Sequence, residues 1–274
     1  MEILDILASS NMNIEEFFYE YNMRKKDGRL YSKEDYIPQN LIKLYYLDNN
    51  HSSFKTIIDA FKKKTVYNEN EMELVHDEAE RDGLALVYDG ILSGKYDDFK
   101  NIYVVLLIHS TLYSCVPYKS FGGKFRNYNG FISQTDVAVT NYQDISSSVQ
   151  KLDDDYKRLL ELASLINKSN SPLLLINYID ECIKLKCKLI KIHPFGDGNG
   201  RTCRCLVNIM FKSVSLPPVY VASSERNEYI EAMDLAVTKG DYSLINKFYY
   251  YKICDSIYEL DIINRDSFGK NKTK

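Results

Sequence analysis

The sequence predicts a mainly α-helical fold, and two observations carry that prediction. Glycine and proline are scarce in the 274 residues, at 12 and 6, and apolar residues recur at three- and four-residue spacings along most of the chain. A hydrophobic content of 45% is enough to bury a substantial core. Residues 1–52 are rich in Tyr, Asn and Lys, with loop signals at Lys26-Asp27-Gly28 and Asn49-Asn50-His51, and read as a small helical N-terminal region. Helices are predicted from Ser53 to Lys63, from Asn70 to Leu92 and from Asp98 to Ser114, with a polar turn at Ser93-Gly94-Lys95.

The pattern changes at Phe121-Gly122-Gly123-Lys124-Phe125-Arg126-Asn127-Tyr128-Asn129-Gly130. Alternation in Phe131-Ile132-Ser133-Gln134 and again in Val137-Ala138-Val139-Thr140 predicts a short hairpin, the one place where strand is expected. Helical spacing resumes from Asp154 to Asn167 and from Pro172 to Ile192. In the second of these Ile176, Ile179, Ile183, Leu185 and Leu189 make apolar faces broad enough for a buried central helix. Thr202 to Ser213, Arg226 to Lys239 and Tyr242 to Leu260 read as three further helices, and 263–274 as a polar tail.

A formal charge of −3 and a pI near 5.9 argue against a nucleic-acid partner, because affinity for a phosphate backbone comes mainly from clustered Lys and Arg. Six cysteines without paired CxxC spacing read as reduced thiols. The longest apolar stretch, Ile102 to His109, is too short to span a bilayer, and the first residues are acidic where a signal peptide would be basic. The expectation is a cytoplasmic protein with no membrane partner, or an effector delivered to a host cytosol.

Chemistry concentrates at His193-Pro194-Phe195-Gly196-Asp197-Gly198-Asn199-Gly200-Arg201-Thr202-Cys203-Arg204. Pro194 biases its predecessor away from the helical region, so His193 is expected at a helix terminus. Three glycines in five positions let backbone N–H groups turn toward one point and feed the next helix N-terminus, which makes a phosphate cradle. Arg201 and Arg204 lie on one helical face beside that anion, and Asp197 offers a hard oxygen ligand for a phosphate-bridging magnesium ion.

This segment resembles the signature of the Fic family, His-Pro-Phe-x-(Asp/Glu)-Gly-Asn-Gly-Arg-x-x-Arg, with every fixed position filled. Gly123-Lys124-Phe125-Arg126 is similar to the family's lead into a β-hairpin flap. Leu216-Pro217-Pro218-Val219, Glu228-Tyr229 and Gly240-Asp241 are similar to its C-terminal helices. The resemblance implies a Fic-type helical bundle: a catalytic core over 53–262, a flap at about 122–140 and an active-site loop at 193–204. It implies a protein adenylyltransferase that uses ATP and Mg2+ to place AMP on an accessible Ser, Thr or Tyr of a target protein, or on itself. A homodimer is compatible with it.

The residue roles follow from the same resemblance. His193 would be the general base, Phe195 the loop's anchor and Asp197 the metal ligand. Gly198, Asn199, Gly200, Arg201, Thr202 and Arg204 would hold the phosphates. Ile132 and Ser133 of the flap, with Tyr229, would complete the nucleotide site. Two departures stand out: Gly130 occupies a position that is usually β-branched, and Thr140-Asn141-Tyr142-Gln143 replaces a proline-rich stretch.

Thr65-Val66-Tyr67-Asn68-Glu69-Asn70 fits a second family motif, Ser/Thr-x-x-x-Glu-Gly/Asn, and Glu69-Asn70 is the only such dipeptide in the sequence. The resemblance implies an inhibitory helix at 65–70 whose Glu69 pairs with the last arginine of the signature. The bland alternative is a solvated acidic helix start at Glu69, Glu71 and Glu73. Removal of AMP from a modified protein and transfer of another nucleotide or phosphate group are alternatives on the same scaffold. A non-catalytic nucleotide-sensing adaptor is the alternative of another class, which would not require His193. Tyr249-Tyr250-Tyr251 and Phe17-Phe18-Tyr19 read as packing strips, and Cys203-x-Cys205 as helix packing. His51, His76 and His109 show no constellation around them.

Overall fold

The structure is a computed structural model and describes residues 58–270, apart from 119–120, 133–136 and 170–171. The predicted N-terminal region therefore lies outside the described residues, as do Ser133 and the end of the tail.

Among the described residues there are nine α-helices: α1 Ile58–Met72, α2 Glu78–Ser93, α3 Val104–Leu112, α4 Ile145–Lys151, α5 Asp153–Ser169, α6 Pro172–Ile192, α7 Asn199–Ser213, α8 Arg226–Lys239 and α9 Ser243–Lys270. Short 3-10 turns at Tyr142–Asp144 and Ser223–Glu225 lead into α4 and α8. Among the described residues no helix is long and apolar enough to cross a membrane.

The central helix is α6, where the periodicity places it. Leu175, Tyr178, Ile179, Cys182, Ile183 and Leu189 are buried along it, and it packs against α4, α5, α7, α8 and α9. Each such Leu or Ile removed from water is worth about 1.5–3 kcal/mol. Tyr178 donates its hydroxyl to the Met210 carbonyl at 2.9 Å and so ties α6 to α7. On the other side, α7 meets α2 and α3, which cross closely at Gly83, where a Cβ would collide with the Leu112 carbonyl.

Several boundaries differ from the sequence expectation for identifiable reasons. The gap expected at residues 64–69 is helical: α1 runs through Thr65–Asn70 to Met72, and the chain breaks after it, where Leu74 takes φ +57°. The second helix starts at Glu78 because Asp77 caps it, accepting from the Ala79 N–H at 2.8 Å. Residues before Val104 form turns, with the Ile102 N–H donating to Asp153 Oδ1 at 2.8 Å instead of entering α3. Helix α4 has no counterpart in the sequence reading, α7 begins three residues before Thr202, and α9 continues past Leu260 to Lys270.

The hairpin expectation is not met among the described residues, which contain no strand. The flap arms are held by Arg126 instead of a ladder: Nη1 donates to the Tyr128 carbonyl at 2.6 Å and Nη2 to the Thr140 carbonyl. Those carbonyls are satisfied by a guanidinium, so a cross-strand pairing is not needed to satisfy them.

Candidate active site

Helix α6 ends in the hydrogen bond from the His193 N–H to the Leu189 carbonyl, 3.1 Å, and His193 then takes φ +52°. A left-handed conformation is uncommon for a residue with a Cβ, although His tolerates it better than most. Pro194 next in the chain has no N–H to continue the helix and disfavours the helical region for its predecessor. The loop beyond is stapled by Asn199, whose amide accepts from the Phe195 N–H at 3.0 Å and donates to the Phe195 carbonyl at 2.9 Å. Any help Asn199 gives a phosphate therefore comes from its backbone, since its side chain is spent inside the loop.

Phe195 is fully buried and lies flat on the His109 ring, centroids 3.9 Å apart. His109 has a constellation after all. Its Nδ1 accepts from the Gly123 N–H at 2.9 Å, which leaves Nε2 to donate to the Asp197 carbonyl at 3.0 Å. One buried imidazole thus joins the base of the flap to the active-site loop. Desolvation, partly offset by that carbonyl, pulls its pKa down to about 4. Its partners are far away in sequence, which is why the spacing around residue 109 carries no signal.

Gly198 adopts φ +70° at the start of α7, and a Cβ there would press on the Tyr113 hydroxyl. Asp197 is 68% exposed; its Oδ1 accepts from the Gly198 N–H at 2.7 Å and its Oδ2 from Tyr113 at 3.1 Å. Among the described residues no group of three metal-ligating side chains exists. One outward carboxylate suits a magnesium ion that takes most of its remaining ligands from phosphates and water.

The first turns of α7 bury Arg201, Thr202 and Arg204. Both arginines are engaged by carboxylates from the N-terminal helices. Arg204 donates from Nε to Glu69 Oε2 and from Nη2 to Glu73 Oε1 at 2.6 Å. Arg201 donates to Glu80 Oε2 at 2.8 Å and to the Tyr113 hydroxyl at 3.1 Å, and its Nη1 has no acceptor among the described residues. Burial works against the charge of Arg204, but Glu69 and Glu73 outweigh it and hold the pKa above the ordinary guanidinium value. Glu69 is fixed a second time by the Val221 N–H, 3.2 Å from Oε1. The sequence points to Glu69 alone; Glu73 and Glu80 come to the arginines because α2 packs against α7 and α1 packs against α2.

Tyr229 of α8 is buried with its ring 5.8 Å from the Arg204 guanidinium, so it borders the same site. Ile132 is half-buried in the flap beside Phe131, which is 80% exposed. A Cβ on Gly130 would meet only the Arg126 side chain, at 3.6 Å, so the missing side chain is not demanded by crowding. Arg126 itself reaches the end of α6, donating from Nε to the His193 carbonyl at 2.7 Å and from Nη2 to the Ile192 carbonyl at 3.4 Å. Burial first, and the Arg126 charge second, lower the His193 pKa; the Ile190 carbonyl and Asp197 oppose them. A neutral imidazole at the mouth of an anion nest is what a general base at neutral pH requires.

Comparison with known proteins agrees with this geometry. Residues 99–211 match the model of the Fic/DOC family, so that stretch of the chain carries a Fic domain. A 54-residue stretch is 46% identical to a protein of Drosophila yakuba described as "Protein adenylyltransferase Fic" and 43% identical to its namesake in Aedes aegypti. That stretch is 20% of this chain and spans only 11% of the length of either relative. Among solved structures, Fic-1 from C. elegans superposes with a TM-score of 0.58 over 97% of this chain and 92% of its own, at 15% identity. A Fic domain containing signaling protein from Bacteroides thetaiotaomicron gives 0.50, covering 91% and 95%, at 13% identity. At these identities the likeness is one of fold.

Proposed function

We propose that this protein transfers AMP from ATP to a hydroxyl of a target protein and that Glu69 restrains the reaction. The observation that carries the reading is the placement of His193, with its lowered pKa, beside a Gly198–Gly200 nest followed by two buried arginines. In the reaction the unprotonated imidazole nitrogen of His193 takes the hydroxyl proton of a Ser, Thr or Tyr. The hydroxyl oxygen bonds to the α-phosphorus, the bond from that phosphorus to the bridging oxygen breaks, and pyrophosphate leaves with the electron pair. Backbone N–H groups of the nest hold the phosphates, and Arg201 and Arg204 offset the charge that builds on the leaving group. Asp197 would hold magnesium, which supplies further charge neutralisation when bound.

A specific observation favours a second reading, hydrolytic removal of AMP from a modified protein. Arg204, the donor meant for the outer phosphates, is already paired with two carboxylates. An AMP-modified substrate has no outer phosphates and does not compete for it.

The test is mass spectrometry of the protein and of a lysate after incubation with labelled ATP and magnesium. Wild type, Glu69→Gly and Glu69→Gly/His193→Ala should give low, high and no incorporation of AMP, self-modification appearing first. A chelator should stop the labelling. Equal labelling of active wild type and Glu69→Gly would remove the restraint from Glu69, and absence of any labelled product would remove the transfer reading. Loss of AMP from a pre-modified lysate on adding wild type would favour the reverse reaction.

A further inference from the structure

The sequence motif accounts for one carboxylate on Arg204, whereas the structure places two. The second, Glu73, lies immediately after α1, its N–H bonded to the Glu69 carbonyl at 3.3 Å. An acidic side chain at a helix C-terminus is disfavoured by the helix dipole, so Glu73 gains nothing from its own helix. Its stabilisation comes from across the site, from Arg204 and from the N-terminus of α7. Its Oε1 stands so close over Gly200 that a Cβ there would collide with it. Gly200 is the second residue of α7, where an anion is favoured by the dipole and by unpaired N–H groups. Arg201, 3% exposed one residue further on, brings a second buried cation to the same place, and its Nη1 has no acceptor among the described residues.

We propose that Glu73 is a second, separately acting occupant of the phosphate nest and decides the length of phosphate chain the nest accepts. This rests on the nucleotide-binding reading above. The two carboxylates differ in what it takes to move them. Glu69 is 1% exposed and also satisfies the Val221 N–H, so its departure would strand a buried donor. Glu73 is 33% exposed and can rotate into solvent, leaving Arg204 paired with Glu69. A phosphate chain reaching over Gly200 meets Glu73 directly: like charges oppose each other there, and the Arg204 Nη2 donor is taken. A monophosphate held nearer Gly198 meets neither obstacle.

The experiment is calorimetric titration of the full chain with ATP and with AMP, in a His193→Ala background so that no transfer occurs. Glu73→Gln, Glu69→Gly and the double variant are compared with the parent. Glu73→Gln keeps the size of the side chain and should strengthen ATP binding by about tenfold whether or not Glu69 is present, with AMP affinity changed by less than about twofold. ATP affinity that responds to Glu69→Gly but not to Glu73→Gln in either background would overturn the proposal. So would an equal gain for ATP and AMP, which would mean general relief of charge. If no variant bound either nucleotide, the functional reading itself would fail, and Glu73 with it.

Discussion

The guanidinium of Arg204 and the carboxylate of Glu69 are hydrogen-bonded across the contact between α7 and α1, with side chains only 4% and 1% exposed. A pair this buried is unequal in its response to mutation. Arg204→Ala leaves Glu69 buried without its cation and Glu73 facing it, a loss of about 3–5 kcal/mol of folding stability. Glu69→Gln keeps an acceptor for the Val221 N–H and leaves Glu73 on Arg204, and should cost about 1–2 kcal/mol. Urea unfolding of the two variants checks the order. Arg204→Ala should also fail to raise AMP transfer, because on the proposed reading it would remove the anchor of Glu69 and the phosphate donor together. The pair is misassigned if Arg204→Ala is the milder change.

His193 should separate binding from chemistry. His193→Ala is expected to lower turnover by about a hundredfold or more, the usual scale of general-base catalysis, while ATP affinity stays within about threefold. On the proposed reading the nest, not the imidazole, would hold the phosphates. Calorimetry with ATP and single-turnover labelling measure the two separately, and a parallel loss of both would take the base role away from His193.

Local signals in the sequence account for much of this. Pro172, the apolar faces of α6, and the glycines before Arg201 act within a few residues, so the central helix and the loop after it are predictable from spacing. The match at Thr65–Asn70 points to Glu69, which does reach Arg204. What could not be read depends on contacts between distant segments. His109 is an ordinary member of an apolar helix until Gly123 and Asp197 are placed on its two nitrogens. Glu73 and Glu80 look like solvated acids until α2 docks on α7 and brings them to Arg204 and Arg201. Lys186 reads as a polar position on α6, yet it is fully buried with its ammonium 4.5 Å from the Tyr229 ring and 4.8 Å from that of Tyr249. The expected hairpin gives way to a more local contact: alternation predicts a ladder, and the Arg126 guanidinium takes the Tyr128 and Thr140 carbonyls instead.

His109 makes stability depend on pH in a predictable direction. Its folded pKa of about 4 lies below the ordinary 6.5, so the unfolded chain binds more protons between those values. Its contribution is therefore complete above about pH 6.5 and is lost as pH falls toward 4, at roughly 1.4 kcal/mol per pH unit in the steepest part. Asp180, raised to about 6 by burial, slopes the other way, so wild type alone would blur the effect. The stability difference between wild type and His109→Gln removes that background, because Asp180 is common to both. Denaturant unfolding at about pH 7 and pH 5 should show wild type losing ground to His109→Gln by about 1–2 kcal/mol. A difference independent of pH would mean that His109 is not held neutral.

Arg126 is predicted to act on catalysis through His193 without touching the nucleotide. Its fork ties the carbonyls of Ile192 and His193 to those of Tyr128 and Thr140, so one side chain fixes His193 and both arms of the flap. Its charge is also the second cause of the lowered His193 pKa. The two effects can be pulled apart, since lysine keeps the charge but not the planar fork, and leucine keeps neither. Arg126→Lys should lower kcat by about tenfold through loss of alignment, with the acid limb of the pH–rate profile where wild type has it. Arg126→Leu should lower kcat at least as far and also move the acid limb to higher pH, because the imidazole now protonates more readily. ATP affinity should stay within about threefold for both, the phosphate nest being built by other residues. Acid limbs that coincide for Lys and Leu would confine Arg126 to a purely structural part, and an ATP affinity that falls along with kcat would place it in the nucleotide site instead.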